Sequence, residues 1–127
     1  MSITVKLFYL ILGGVIGTLA RFGTSKVIHR FIPSDLPYGT MAVNLIGCFL
    51  IGYLAVVSEK KIHLAQVIRL FLMIGFCGSF TTFSTFMLDT AKLIQDGQTL
   101  KAFWNVIGSM ALGFWCFRLG VLLGTQF

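Results

Sequence analysis

The chain has 127 residues, of which 57% are hydrophobic and 11% charged, with a formal net charge of +6. A soluble domain carries roughly 25% charged residues, and a chain this short has no core large enough to hide so much apolar surface, so a membrane is the natural solvent. The positive charge does not signal a nucleic-acid partner, because the basic residues are dispersed in runs no longer than Lys60-Lys61 and read as membrane-interface charges.

A bilayer core of about 30 Å requires about 20 apolar helical residues, and four stretches qualify. They predict an all-α membrane protein with helix one over about 4–30, helix two over 39–58, helix three over 65–96 and helix four over 99–124. The joints hold the punctuation: "PSDLPYG" (33–39) has both prolines, "SEKKIH" (58–63) is polar, and "QDGQ" (95–98) is a turn. None leaves room for a soluble domain, so residues 1–127 read as one four-helix transmembrane domain.

Helix one is too long for a signal peptide and shows no small-x-small cleavage site before Arg21. Gly13 and Gly17 are spaced for close helix contact, as are Gly120 and Gly124 in helix four. Arg21 has two readings, an interface anchor whose head snorkels to water or an electropositive lure at a vestibule mouth. In helix two, Asn44 is an amide that must find partners in lipid. Gluing helices together and offering its NH2 to an anion are both open.

Helix three spans 32 residues by these boundaries, too many for one straight crossing. Near its middle lies "GFCGSFTTFSTF" (75–86), with Gly75, Gly78 and the hydroxyls of Ser79, Thr81, Thr82, Ser84 and Thr85. Small and β-branched polar residues weaken a helix. A break near 77–82 would leave carbonyls on one half, suited to a cation, and free N–H groups on the other, suited to an anion. The alternative is a continuous helix whose hydroxyls bond back to carbonyls one turn earlier. Phe83 and Phe86 share a helix face, as do Phe76 and Phe80. Such stripes usually pack, yet the positive ring edges can also replace part of the water around a small anion. On helix four, Asn105 and Ser109 form a second polar stripe.

Cys48, Cys77 and Cys116 each lie in an apolar stretch and read as packing thiols rather than a disulfide framework or metal site. Asp35, Glu59 and Asp96 fall at joints, and only Asp89 reads as lying inside. An even number of crossings assigns Lys6, Lys60, Lys61, Arg69 and Arg118 to one side and Arg21, Lys26, Arg30, Lys92 and Lys101 to the other. This even split gives the positive-inside rule no excess to act on, and predicts insertion in both orientations.

The motifs carry a resemblance. "GTMAVNLIG" (39–47) resembles the G-T-x-x-V-N-x-x-G of the CrcB/Fluc fluoride channel family, "GFCGSFTTFSTF" resembles its G-x-x-G-G-x-T-T-F-S-T-F, and "LARF" (19–22) matches its arginine near the end of helix one. The resemblance implies an antiparallel, dual-topology homodimer in a prokaryotic inner membrane. It would export cytoplasmic fluoride passively through two pores per dimer and so give fluoride resistance. Phe83, Phe86 and Asn44 would line each pore, with hydroxyls from Thr82, Ser84, Thr85 and Ser109 along the pathway and Arg21 at its mouth. A structural sodium ion would sit on the dimer axis, held by the backbone carbonyls of Gly78 and Thr81. The sequence departs from the family at Ser79, where a second glycine is common, at Met87, where serine is common, and at Asp89, a shorter acid than the usual glutamate. The rival is a small proton-coupled multidrug exporter, which needs a carboxylate in helix one where this chain has Arg21. No nucleophile–base or metal-ligand constellation suggests an enzyme.

Overall fold

A computed structural model describes all residues, 1–127, as an antiparallel array of helices with no strands. Helix α1 spans Ile3–Phe31 and α2 spans Tyr38–Lys60. The third crossing comes in two pieces, α3 over residues 62–80 and α4 over Phe83–Gln95. Helix α5 spans Thr99–Gln126. Four crossings are thus long and apolar enough to span a bilayer, the third running from Ile62 to Gln95, and the chain is a multi-pass membrane protein. The expected boundaries hold to within three residues. Only 17 of the 127 residues are buried, so most of the apolar surface of α1 and α5 faces outward, where water would not tolerate it.

Close approach of backbones holds the array together. A Cβ placed on Gly13 would collide with the carbonyl of Phe71, and one on Gly17 with Ser79 Oγ and the carbonyl of Phe76. These glycines therefore let α1 lie directly on α3. A Cβ on Gly52 would strike the carbonyl of Phe117, and one on Gly120 the carbonyl of Phe49, so α2 and α5 meet the same way. Both glycine pairs expected to mark helix contacts do so within this one chain.

Two end-caps and one ion pair fix the array. Lys60 Nζ donates to the carbonyls of Gly124 and Thr125, each at 2.8 Å, satisfying the C-terminus of α5 from the end of α2. Gly97, the one residue with positive φ (75°), closes α4. Its N–H reaches the carbonyl of Ile94, and the next N–H, of Gln98, reaches Leu93. Across the same membrane face, Lys101 pairs with Asp35 at 3.0 Å. The Lys101 hydrogen bond and a further one from Gln98 hold the Asp35 carboxyl below its ordinary range.

Within α3, Ile68–Cys77 winds as a π-helix, a wide turn rare in proteins and frequent at functional sites. Nothing in the apolar "IRLFLMIGFC" announces it.

Overpacking a close backbone contact costs about 1–3 kcal/mol. Gly17→Ala is therefore expected to lower the thermal stability of the detergent-purified protein, whereas Gly14→Ala, whose Cβ meets nothing within 4 Å, leaves it unchanged. Equal melting of the two variants would contradict the α1–α3 contact.

Candidate functional site

The third crossing breaks at Thr81 and Thr82, whose backbones are extended (φ −88°, ψ 157° and φ −149°, ψ 119°). The crossing parts, as the first reading expects, and is not the continuous helix of the alternative, although some hydroxyls do bond back to earlier carbonyls. Ser79 Oγ donates back to the carbonyls of Gly75 (2.7 Å) and Phe76 (3.1 Å), and Thr81 Oγ1 to that of Cys77 (2.9 Å). These bonds finish α3, and the chain then leaves the helix instead of continuing it.

Asn44 holds the break open. Its Nδ2 donates to the carbonyl of Thr82 at 3.0 Å and its Oδ1 accepts from the Thr82 N–H at 2.8 Å. A two-point amide pair thus satisfies the N–H and the C=O of Thr82, one from each of the two peptide groups at the break, at a depth where unpaired groups are costly. One N–H of Nδ2 is left over, so Asn44 is a clamp that keeps a donor free. Gly47, one turn on along α2, has no room for a Cβ because the Thr81 methyl occupies that space. The spacing of Asn44 and Gly47 in "VNLIG" therefore seats α2 against the break at two points.

Beyond the break, Thr82 caps α4. Its Oγ1 accepts from Thr85 N–H (3.2 Å), donates to Thr85 Oγ1 (3.0 Å) and lies 3.4 Å from Ser84 Oγ. The first-turn N–H groups of Phe83 and Ser84 have no helical partner and carry the positive end of the α4 dipole. On the other side, the carbonyls of Gly78 and Thr81 also lack donors. Thr81 N–H is spent on Cys77 and Thr82 N–H on Asn44.

Two cavities flank this junction. One, of about 270 Å³, is lined by Thr18, Arg21, Phe22, Ser25, Lys26, Thr40, Thr82 and Thr85. Arg21 thus shares a cavity with the hydroxyls of the break, and no carboxylate lines it. Lys26 rests over the Phe22 ring at 4.6 Å. Arg21 Nε is buried without a partner. The other cavity, of about 320 Å³, lies between α2 and α3, with Asn44, Gly78, Thr81, Thr82 and Phe83 in its wall.

Phe83 and Phe86 are near one another, ring centroids 5.9 Å apart and tilted by 47°, but in different surroundings. Phe86 is 7% exposed and Phe83 is 73% exposed. Helical spacing gives their common face, but not what covers it. Phe76 and Phe80 stack at 5.4 Å.

Several partners escaped the sequence reading. Thr40 Oγ1 donates to Asp89 Oδ2 at 2.7 Å, tying the inner carboxylate to α2. Thr90 Oγ1 donates to the Phe86 carbonyl (2.8 Å) and accepts from Asn105 Nδ2 (3.0 Å). Asn105 Oδ1 and Ser109 Oγ are buried without partners. Ser109 is not hydrogen-bonded to the Thr82 cluster, but lies one turn from the Asn105–Thr90 pair that reaches Phe86.

Residues 8–121 match the family described as CrcB-like protein, Camphor Resistance (CrcB). A protein of Hydrogenobaculum sp. named fluoride-specific ion channel FluC is 43% identical over 90% of this chain and 93% of its own length. A protein of the same name from Parabacteroides distasonis is 42% identical over 96% of this chain and 94% of its own. One from Maridesulfovibrio salexigens is 39% identical over 94% of both chains.

Removing the Asn44 amide leaves the Thr82 N–H and C=O unpaired, which costs about 1–3 kcal/mol. Asn44→Ala is expected to lower stability by that amount and to speed hydrogen exchange of the Thr82 N–H selectively. An unchanged exchange rate at Thr82 would rule out the clamp.

Proposed function

Because the chain belongs to the CrcB family, we propose that it is a fluoride channel, passing the ion passively out of the cytoplasm down its electrochemical gradient and so giving fluoride resistance. The observation that carries this reading is the composition of the 270 Å³ cavity beside the break. Two cationic side chains and five hydroxyl residues line it, with no carboxylate. A small anion is attracted there by Arg21 and Lys26 and by the N-terminus of α4. It exchanges water for the hydroxyls of Thr82, Ser84 and Thr85, the spare N–H of Asn44 and the ring edges of Phe83 and Phe86. Ser109 and the Asn105–Thr90 pair extend the polar track beside Phe86. A proton-coupled cation exporter fits less well, since α1 carries no carboxylate and Asp89 is held by Thr40.

The working unit is an antiparallel homodimer of dual topology with two pores. The exposure of Phe83 supports this, since a second copy would cover the ring that this chain leaves open. The even split of basic residues supports insertion both ways. The carbonyls of Gly78 and Thr81 suit a structural sodium ion on the dimer axis. They are free of donors and neutral, and a Cβ at Gly78 would meet only the carbonyl of Met73, at 3.9 Å. Bound there, sodium would neutralise carbonyl dipoles and hold the two breaks together.

In liposomes, the purified protein is expected to release fluoride and retain chloride. Phe83→Ile and Phe86→Ile each keep apolar bulk and delete the ring quadrupole, and each should cut fluoride flux about tenfold or more, equal to about 1.4 kcal/mol on the barrier. Unchanged flux per folded dimer in both variants would remove the rings from the mechanism, and equal chloride release would overturn the reading. Sodium removal should lower dimer stability, and a C-terminal tag should be reachable from both faces of the membrane. A sodium gradient that drives fluoride uphill, or a tag found on one face only, would refute the corresponding part.

A further inference from the structure

The last turns of α1 carry an open recess of about 580 Å³, lined by Ser25, Lys26, Val27, His29 and Arg30. Ser25 and Lys26 also line the cavity beside the break, whereas His29 and Arg30 do not. Lys26, His29 and Arg30 are exposed. No carboxylate lines the recess, and none pairs with its cations, since the one ion pair of the chain joins Lys101 to Asp35. Basic residues in a last turn complement the helix dipole, but one charge meets that need, and here a lysine, a histidine and an arginine share one recess. Their depth is set by the helix. Gly17 lies midway along α1, and a rise of about 1.5 Å per residue puts residues 26–30 roughly 14–20 Å from it. That is the edge of a hydrocarbon layer about 15 Å deep on each side of the midplane, where headgroups begin. Three- and four-residue spacing puts Val15, Leu19 and Phe22 on the same side of α1 as Lys26, His29 and Arg30. This side lies opposite Gly13 and Gly17, which face α3, and its three apolar residues are exposed. The outward stripe is thus apolar at bilayer depth and cationic at its end, the polarity of a phospholipid standing beside it.

We propose that this stripe seats one anionic phospholipid, its phosphodiester held by Lys26, His29 and Arg30 and its acyl chains lying along Val15, Leu19 and Phe22. Charge complementarity selects the headgroup class. A headgroup of net negative charge, such as phosphatidylglycerol, gains from both cations. A choline headgroup brings its own ammonium into the recess and cancels much of that gain. The joint at the other end of the array is basic too, but it offers less to an anion. Lys60 there is spent on the carbonyls of Gly124 and Thr125, and Glu59 precedes it. The seat does not depend on which ion the chain conducts.

The test is lipid retention by the purified full-length protein. It is stripped of lipid in maltoside detergent, titrated with dioleoyl phosphatidylglycerol or dioleoyl phosphatidylcholine, and read by native mass spectrometry. About one phosphatidylglycerol per chain is expected, held about fivefold or more tighter than phosphatidylcholine. Arg30→Gln and Lys26→Gln should each weaken phosphatidylglycerol retention about fivefold and leave phosphatidylcholine unchanged, while Lys61→Gln should change neither. The three side chains are exposed, and unchanged melting confirms that the variants fold. Equal retention of the two lipids, wild-type retention of phosphatidylglycerol by Arg30→Gln, or an equal loss with Lys61→Gln overturns the seat. Displacement of phosphatidylglycerol by an equal concentration of inorganic phosphate assigns the recess to a free anion. Folded protein that retains no phospholipid assigns the stripe to a protein partner such as a second copy. Either of these results also overturns the lipid seat.

Discussion

The two peptide groups that flank Thr82 govern this molecule. In hydrocarbon, every backbone N–H and C=O must have a partner inside the protein. The third crossing is interrupted, so the N–H and C=O of Thr82 would have none. Asn44 supplies both partners from the neighbouring helix. Once that pair forms, the break is an ordered feature rather than a defect. The α3 carbonyls stop at a defined place, α4 starts at a defined place, and Thr82 is free to use its hydroxyl as the α4 cap.

The rest of the packing follows from placing Asn44 within reach. Helix α2 must come close to the break, and Gly47 allows it by leaving space for the Thr81 methyl. Helix α3 must be held from its other side, and Gly13 and Gly17 let α1 rest on the carbonyls of Phe71 and Phe76. Helix α5 must anchor α2, which it does through Gly52, Gly120 and the Lys60 cap. In lipid, apolar burial drives helix association only weakly, so this close backbone packing and the few interhelical hydrogen bonds take its place.

How much of this was legible depends on the range of the interaction. The four crossings follow from apolar length, and the turn at Gly97 from its local chemistry. The break was legible as an alternative, because glycines and hydroxyls weaken a helix whether or not it finally parts. What decided it was Asn44, 38 residues away, and no local pattern records that pairing. The Thr40–Asp89 and Thr90–Asn105 bonds were hidden for the same reason, and the π-helix because its ten residues look like any apolar helix. Ser79 shows how a departure from the family pattern can still be accommodated. Where a second glycine is common, its hydroxyl bonds back to the carbonyls of Gly75 and Phe76.

The unequal exposure of Phe83 and Phe86 connects the fold to the proposed second copy. A pathway through lipid cannot be walled on one side only, since an ion beside an uncovered ring would face hydrocarbon instead of polar substitutes for its water. This chain closes Phe86 between its own helices and leaves Phe83 outside. The same outward region carries the donor-free carbonyls of Gly78 and Thr81, which lipid cannot satisfy either. Two different deficits, an open ring and unpaired carbonyls, therefore lie on one side of one break. These two deficits are the ground on which we propose a second copy with a cation at its junction.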